Sequence, residues 1–504
     1  MTANSSANNP NSLGGRVIYC MATLCLVVAF LLTFMLNSAT GTLEGFQFST
    51  EFNHYFENDQ YALLADALLH GQLTLDLPVS QELADLANPY DYDMRAAIAS
   101  ESVPVFWDHA FYEGSYYCYF GVVPAVLLYM PYQLITGSWL STPVALGIIG
   151  VLAIIAMSLL IRRLALRYFA GSVTALSLLA CLFIVFNGCN YIYLAFVARF
   201  YSVPILSSLL FTALGLWLWL KARRGNHSSL SVPCLALGSA CMALNFGCRP
   251  QFMLACFLAF PIFKDEIFVS RRLFSKQGVW QTVAALLPFV IVISPLLWYN
   301  YVRFGSVLDF GSSYNLTGFD MTEYHQRNLV TLIIMVKYLF QPLALSSAFP
   351  FIEPTSIAYL DLGYAPHEPF FGGIFIMKPV LIVAFAFPFL WRSLKKRGLW
   401  GFSWLCVLFT VIVLFADTRT AGITERYFSD FGLYISLVAC FVILTLQMRG
   451  IAKRPAVRVI FIALFICAVI FTLVLGTLEL VSPLRYDSIA DSNPVLYEQI
   501  VAFF

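Results

Sequence analysis

The chain has 504 residues, of which 60% are hydrophobic and only 11% charged, with a mean hydropathy of +0.78 and a net charge of +1. Soluble domains carry roughly 25% charged residues, so this composition excludes an ordinary soluble globule and predicts an all-α polytopic membrane protein. The near-zero net charge gives no general attraction to nucleic acid, so no nucleic-acid partner is expected.

Taken in order, the first 16 residues, MTANSSANNPNSLGGR, are polar and read as a disordered segment. The run from Val17 to Leu36 is longer than a signal-peptide core and lacks a convincing small-residue cleavage site. It reads as an uncleaved membrane span, with Arg16 before it placing the N-terminus in the cytoplasm. Further apolar runs fall at 142–161, 171–190, 203–220, 230–247, 251–263, 279–299, 374–391, 401–416, 431–447 and 457–480, giving about eleven spans over residues 17–480. With that set, the basic clusters at Arg162–Arg167, Lys221–Arg224, Lys264–Lys276, Arg392–Arg397 and Arg449–Arg458 all lie on the cytoplasmic side. Two more apolar runs, 120–136 and 329–346, would break this pattern by crossing. They contain Pro124, Pro131, Lys337, Gln341 and Pro342 and read as interfacial or re-entrant helices on the outer side.

The outer side then carries the polar stretch 41–120, a second large loop at 300–373, the turn Asp417–Asp430 and the tail 481–504. In the first loop Tyr61, Leu64, Ala65, Leu68 and Leu69 recur at helical spacing. Asn58 or Asp59 is placed to cap that helix and Gly71 to end it. A second short helix is expected from Ser80 to about Ala87. The loop is dense in carboxylates and has Arg95 as its only arginine or lysine.

Three sets of residues can carry chemistry. Glu57 and Asp59 stand at the head of the loop helix, where a carboxylate can accept a proton from an attacking hydroxyl or can simply cap the helix. Asp108 stands among aromatics that include Tyr112, Tyr116, Tyr117 and Tyr119, a composition suited to stacking on a sugar or to an interfacial aromatic belt. Arg199, Arg249, Arg303 and Arg426 sit at outer ends of spans, where positive-inside bias does not explain them. They are natural partners of a lipid phosphate, or they snorkel or form local ion pairs. The histidines are scattered; a divalent metal held by Asp59, Asp108 and a His has no recognisable spacing, so no cofactor is assigned. The 12 cysteines lie mostly in apolar runs without CxxC spacing and read as small buried hydrophobes. No P-loop or strand-linked GxGxxG is present, and no symmetry-related pair of interrupted spans with mid-membrane acids points to a transporter.

The segments DQYALLADALLHGQLTLD (59–76), NPYD (88–91), WDHAFYEGSYYCYFGVVPAVLLYMPY (107–132), WYNYVRFGSVLDFGSSYNLTG (298–318), YLFQP (338–342) and RYFSDF (426–431) resemble the GT-C superfamily of integral-membrane glycosyltransferases, in particular uncharacterised bacterial members. The resemblance implies a polyprenyl-phosphate-linked sugar as donor and a cell-envelope glycan, lipid or protein as acceptor. It places the site at the outer face of the cytoplasmic membrane. It also implies a base or metal ligand at the start of the first outer loop, which falls on Asp59 or Glu57. The family's adjacent acid pair is interrupted here by Asn58. Basic residues around the donor phosphate correspond to Arg249, Arg199 and Arg426. Single displacement would invert the anomeric centre. A lipid-linked polysaccharide polymerase or ligase, and a flippase or transporter of lipid-linked substrates, are the alternative readings.

Overall fold

The apolar runs become helices. The structure, a computed structural model, describes residues 10–38, 47–49, 53–56, 59–223, 230–355, 368–449, 455–485 and 488–504. Among them, seven helices are long and apolar enough to cross a membrane. They are Leu13–Ser38, Thr142–Tyr168, Ser202–Ala222, Val279–Phe304, Trp400–Ala421, Phe428–Arg449 and Pro455–Val481. The other four expected spans are helical but shorter or broken. Ala175–Gly188 is one, and Val232–Leu244 runs into a 3-10 turn at Asn245–Gly247. Pro250–Leu258 is 3-10 before Ala259–Ile262, and Lys378 separates Ile374–Met377 from Pro379–Leu390. The chain is an all-α polytopic membrane protein.

Asn328–Phe340 has 13 residues, about 20 Å of helix at 1.5 Å per residue, too short for a hydrocarbon core of about 30 Å. The 120–136 run forms a π turn at Ala125–Tyr129 and a short helix, Met130–Thr136, closed by Gly137 in the left-handed conformation. Neither run forms a helix of membrane-crossing length. Phe428–Arg449 is buried on nearly all sides and forms the centre of the bundle. Val279–Phe304 and Pro455–Val481 leave most of their apolar surface uncovered, as lipid-facing helices do.

Thr142–Tyr168 fixes the two ends of the bundle. Its last residue offers its carbonyl to Arg397, while Arg163 and Arg167 donate to the Leu220 carbonyl at 3.1 and 3.2 Å. Arg223 pairs with Asp265 and Glu266, and Arg449 donates to Ser393 at 2.6 Å. The basic clusters therefore gather at one end. The polar loops gather at the other, where Thr142 begins. There the two large loops are zipped together. Asp108 donates its backbone N–H to the Leu316 carbonyl and Leu316 donates to the His109 carbonyl, each at 2.9 Å. Asn88 reaches Asp320 at 2.8 Å, and the fully buried Arg95 donates to the carbonyls of Pro89 and Thr317. Burial pulls that guanidinium down to about 10.

The central helix touches its neighbour through glycines. A Cβ on Gly432 would lie 1.9 Å from the Gly188 carbonyl oxygen. Gly432→Ala should therefore lower stability by about 1–3 kcal/mol despite alanine's better helix propensity. Thermal unfolding of the solubilised protein measures this, and an unchanged midpoint would mean that the two helices do not touch there.

Candidate active site

The first loop is held against the bundle by the helix Gln60–Leu69, whose Tyr61, Leu64 and Ala65 are buried as the helical stripe requires. Asp59 occupies its N-cap position but makes no side-chain cap there. Its Oδ1 instead accepts a 2.6 Å hydrogen bond from the backbone N–H of Thr142, the first residue of a membrane-length helix. Ser141, which precedes that helix, contributes no side-chain cap. The carboxylate thus satisfies an orphan donor and meets the positive end of a helix remote in sequence. Glu57 and Asn58 lie outside the described residues. Ser80 caps Gln81–Ala84 as expected, accepting from Leu83 N–H at 3.2 Å, although this helix ends earlier than predicted.

Gln60, next in the chain, is buried and donates to the Asp108 carbonyl at 2.9 Å. Asp108 sits in the left-handed region at φ 54°, where Asp and Asn are tolerated best, at the start of the hairpin Ala110–Tyr112/Ser115–Tyr117. Its Oδ1 accepts from Asn315 Nδ2 at 2.9 Å, with a further hydrogen bond from Thr317. Burial pushes this carboxyl up to about 6, against the opposing pull of Asn315 and of the nearby Arg426. Tyr119 lies within electrostatic reach of both Asp108 and Arg426. His109 is buried beside it, and burial lowers its ring to about 4, so it is neutral near pH 7.

Two of the four predicted arginines come together around one ring. Arg249 lies 4.9 Å from the centre of Tyr427 and Arg426 lies 5.4 Å from it. Arg426 also stacks on Tyr201 at 4.2 Å and pairs with Glu368 at 2.9 Å. Arg249 gives its Nε edge, with Nη2, to a single oxygen of Asp430. Among the described residues its Nη1 has no hydrogen-bond partner. Gln251 bridges the acids behind it, donating to Asp417 at 3.0 Å and to Asp430 at 3.1 Å.

A second ionic layer lies behind Arg426. Its neighbour Glu425 is buried, accepts from the Phe371 N–H at 3.1 Å, and lies 3.9 Å from Arg485. Arg485 donates to Glu479 at 2.8 Å and lies 4.9 Å from the Tyr193 ring. Lys378, at the helix break, donates to Asn190, which in turn donates to the Glu425 carbonyl at 3.1 Å.

Arg303 is placed differently. Arg303 is buried on the Tyr299 ring at 3.8 Å and donates to the Cys118 carbonyl at 2.8 Å and to Asn300 at 3.0 Å, which commits it to holding the first loop. Arg199 is half-buried in the turn before the helix Ser202–Ala222, its backbone donating to the Val197 carbonyl and accepting from the Ser202 N–H, each at 2.9 Å. Sequence reasoning missed Glu368, Lys378, Asp417, Glu425, Asp430, Glu479 and Arg485 as members of ionic clusters. Among the described residues no three His, Cys, Asp or Glu side chains converge as metal ligands.

The arrangement presents two cations flanking an aromatic ring, with a buried carboxyl of raised proton affinity within electrostatic reach of one of them. It can hold an anion and take up a proton next to it. No protein-family profile and no curated protein sequence matches the chain. Among solved structures it is similar to the apo crystal structure of the oligosaccharyltransferase of Archaeoglobus fulgidus, at 13% identity, a TM-score of 0.46, and coverage of 92% of this chain and 56% of that one. The chain thus spans little more than half the length of that protein.

Proposed function

We propose that the protein is a membrane glycosyltransferase that moves a sugar from a polyprenyl-phosphate carrier to a cell-envelope acceptor. Its site lies at the loop-bearing end of the bundle, facing outward, with the basic end in the cytoplasm. The observation that carries the reading is the pair Arg249 and Arg426 on one tyrosine ring, with Asp108 in reach of Arg426. The arginines bind the carrier phosphate and stabilise the charge it gains on leaving. Asp108 takes the proton of the acceptor hydroxyl, whose oxygen bonds to the anomeric carbon as the carbon–phosphate-oxygen bond breaks. The bonding pair leaves with the lipid phosphate, and the centre inverts. A carboxyl brought near neutrality by burial suits a general base.

Membranes containing the protein should transfer labelled sugar from polyprenyl-phosphate donors and not from diphosphate-linked glycans; absence of transfer from any monophosphate donor refutes the reading. In that assay Asp59→Asn should keep transfer within about threefold, because its amide oxygen still accepts from Thr142. The variant should lose about 0.3–1 kcal/mol of stability with the charge at the helix end. A loss of roughly 10²-fold or more in Asp59→Asn, with Asp108→Asn unaffected, would move the base role to Asp59.

A further inference from the structure

The acids behind Arg249 are unequal. Asp417 lies one turn before the end of the helix Trp400–Ala421 and Asp430 in the first turn of Phe428–Arg449, and their carboxyl groups lie within hydrogen-bonding reach of each other. Both are buried. Each has one oxygen engaged: Asp417 Oδ1 with Gln251, and Asp430 Oδ2 with Gln251 and Arg249. Each also has one buried oxygen, Asp417 Oδ2 and Asp430 Oδ1, without a hydrogen-bond partner among the described residues. Two facing carboxylates cannot satisfy each other, because both only accept. Arg249 and Gln251 bond to the pair, Tyr427, Tyr338 and Tyr434 lie within electrostatic reach of it, and Arg249 is the one cation among these groups. Two negative charges against one guanidinium leave one unit uncompensated in a site closed to water.

We propose that one proton resides between Asp417 and Asp430, that Asp417 is the neutral donor of that hydrogen bond, and that charged Asp430 is the positioning residue that turns Arg249 toward its ligand. The proton joins two otherwise orphaned oxygens and neutralises the cluster. It also leaves Asp430 a full carboxylate for the Arg249 Nε edge, so that Nη1 points away from it. The last clause rests on the reading of Arg249 as a ligand of the carrier phosphate; the shared proton does not.

The test uses the full chain in lipid nanodiscs. Infrared spectra at neutral pH should show the carbonyl stretch of a protonated carboxyl, and Asp417→Asn should remove it with little change in melting temperature. Undecaprenyl phosphate binding should survive Asp417→Asn but fall roughly tenfold to hundredfold in Asp430→Asn. Should Asp430→Asn fail to fold, the double variant Arg249→Gln/Asp430→Asn removes both buried charges. It should recover the fold and bind as weakly as Arg249→Gln alone. The proposal is overturned if no carbonyl band depends on Asp417, if Asp417→Asn weakens binding and Asp430→Asn does not, or if sodium rather than a proton stabilises the pair. If the band is lost as expected but neither Arg249→Gln nor Asp430→Asn changes lipid-phosphate binding, the pair stands and the role given to Arg249 falls.

Discussion

Asp108→Asn should reduce sugar transfer roughly 10²- to 10⁴-fold while leaving the loops assembled. The asparagine can still accept from Asn315 through its amide oxygen, and the backbone bonds between Asp108, His109 and Leu316 do not involve the side chain. The loss is therefore chemical. The pH dependence has a definite sign. A base works in its ionised form, and burial lifts this carboxyl to about 6, so the wild-type rate should climb as pH rises through about 6 and level off above it. The asparagine variant should keep a low, flat rate over that range. Stability runs the other way. A carboxyl whose folded value exceeds its ordinary one favours the folded state when protonated, and that contribution is lost as pH rises through about 6. Transfer rates and melting temperatures of the two proteins between pH 5 and 8 check both limbs. A wild-type rate already flat through this window would remove Asp108 from the reaction.

Arg426→Gln should cost roughly 10²- to 10³-fold in turnover, the scale seen when one fixed charge partner of a transition state is removed. Lysine should restore little of it. The guanidinium lies over the Tyr201 ring at 4.2 Å while its Nη2 pairs with Glu368 at 2.9 Å, and an ammonium lacks the planar, multi-donor head that makes both contacts at once. Loss of the arginine also strands the Glu368 carboxylate, so the control is Arg426→Gln combined with Glu368→Gln. If the control regains stability but not transfer, the charge serves the reaction; if it regains both, Arg426 only balances Glu368.

The membrane architecture was legible in the sequence because each span carries its own apolar run. All eleven expected spans are helical, seven of them at membrane-crossing length, and the described residues of the basic clusters meet at one end. Where the reading stopped short, chain geometry intervened. The run at 251–263 is wound as a 3-10 helix after Pro250, and that at 374–391 breaks at Lys378. Asp59 was legible as a capping residue, but the helix it caps starts 83 positions away, which no local pattern reveals. The same distance problem hid the partners of the arginines. Arg249 and Asp430 stand 181 positions apart at the ends of different helices. A signal was present: Asp417 and Asp430 interrupt apolar runs, where an acid is costly and calls for a partner or a function. Arg303 is a different case. Its sequence position matched Arg249 and Arg426, and only the fold shows it turned onto Tyr299 and a backbone carbonyl.

The layer behind Arg426 also bears on the order in which the molecule is made. Lys378, Glu425 and Glu479 leave the ribosome before Arg485 does, and until then two carboxylates share a single ammonium. The fourth charge restores parity, and its guanidinium reaches back to the carboxylate beside Arg426. Charge balance behind Arg426 is therefore complete only once Arg485 has been made and has docked against Glu425 and Glu479.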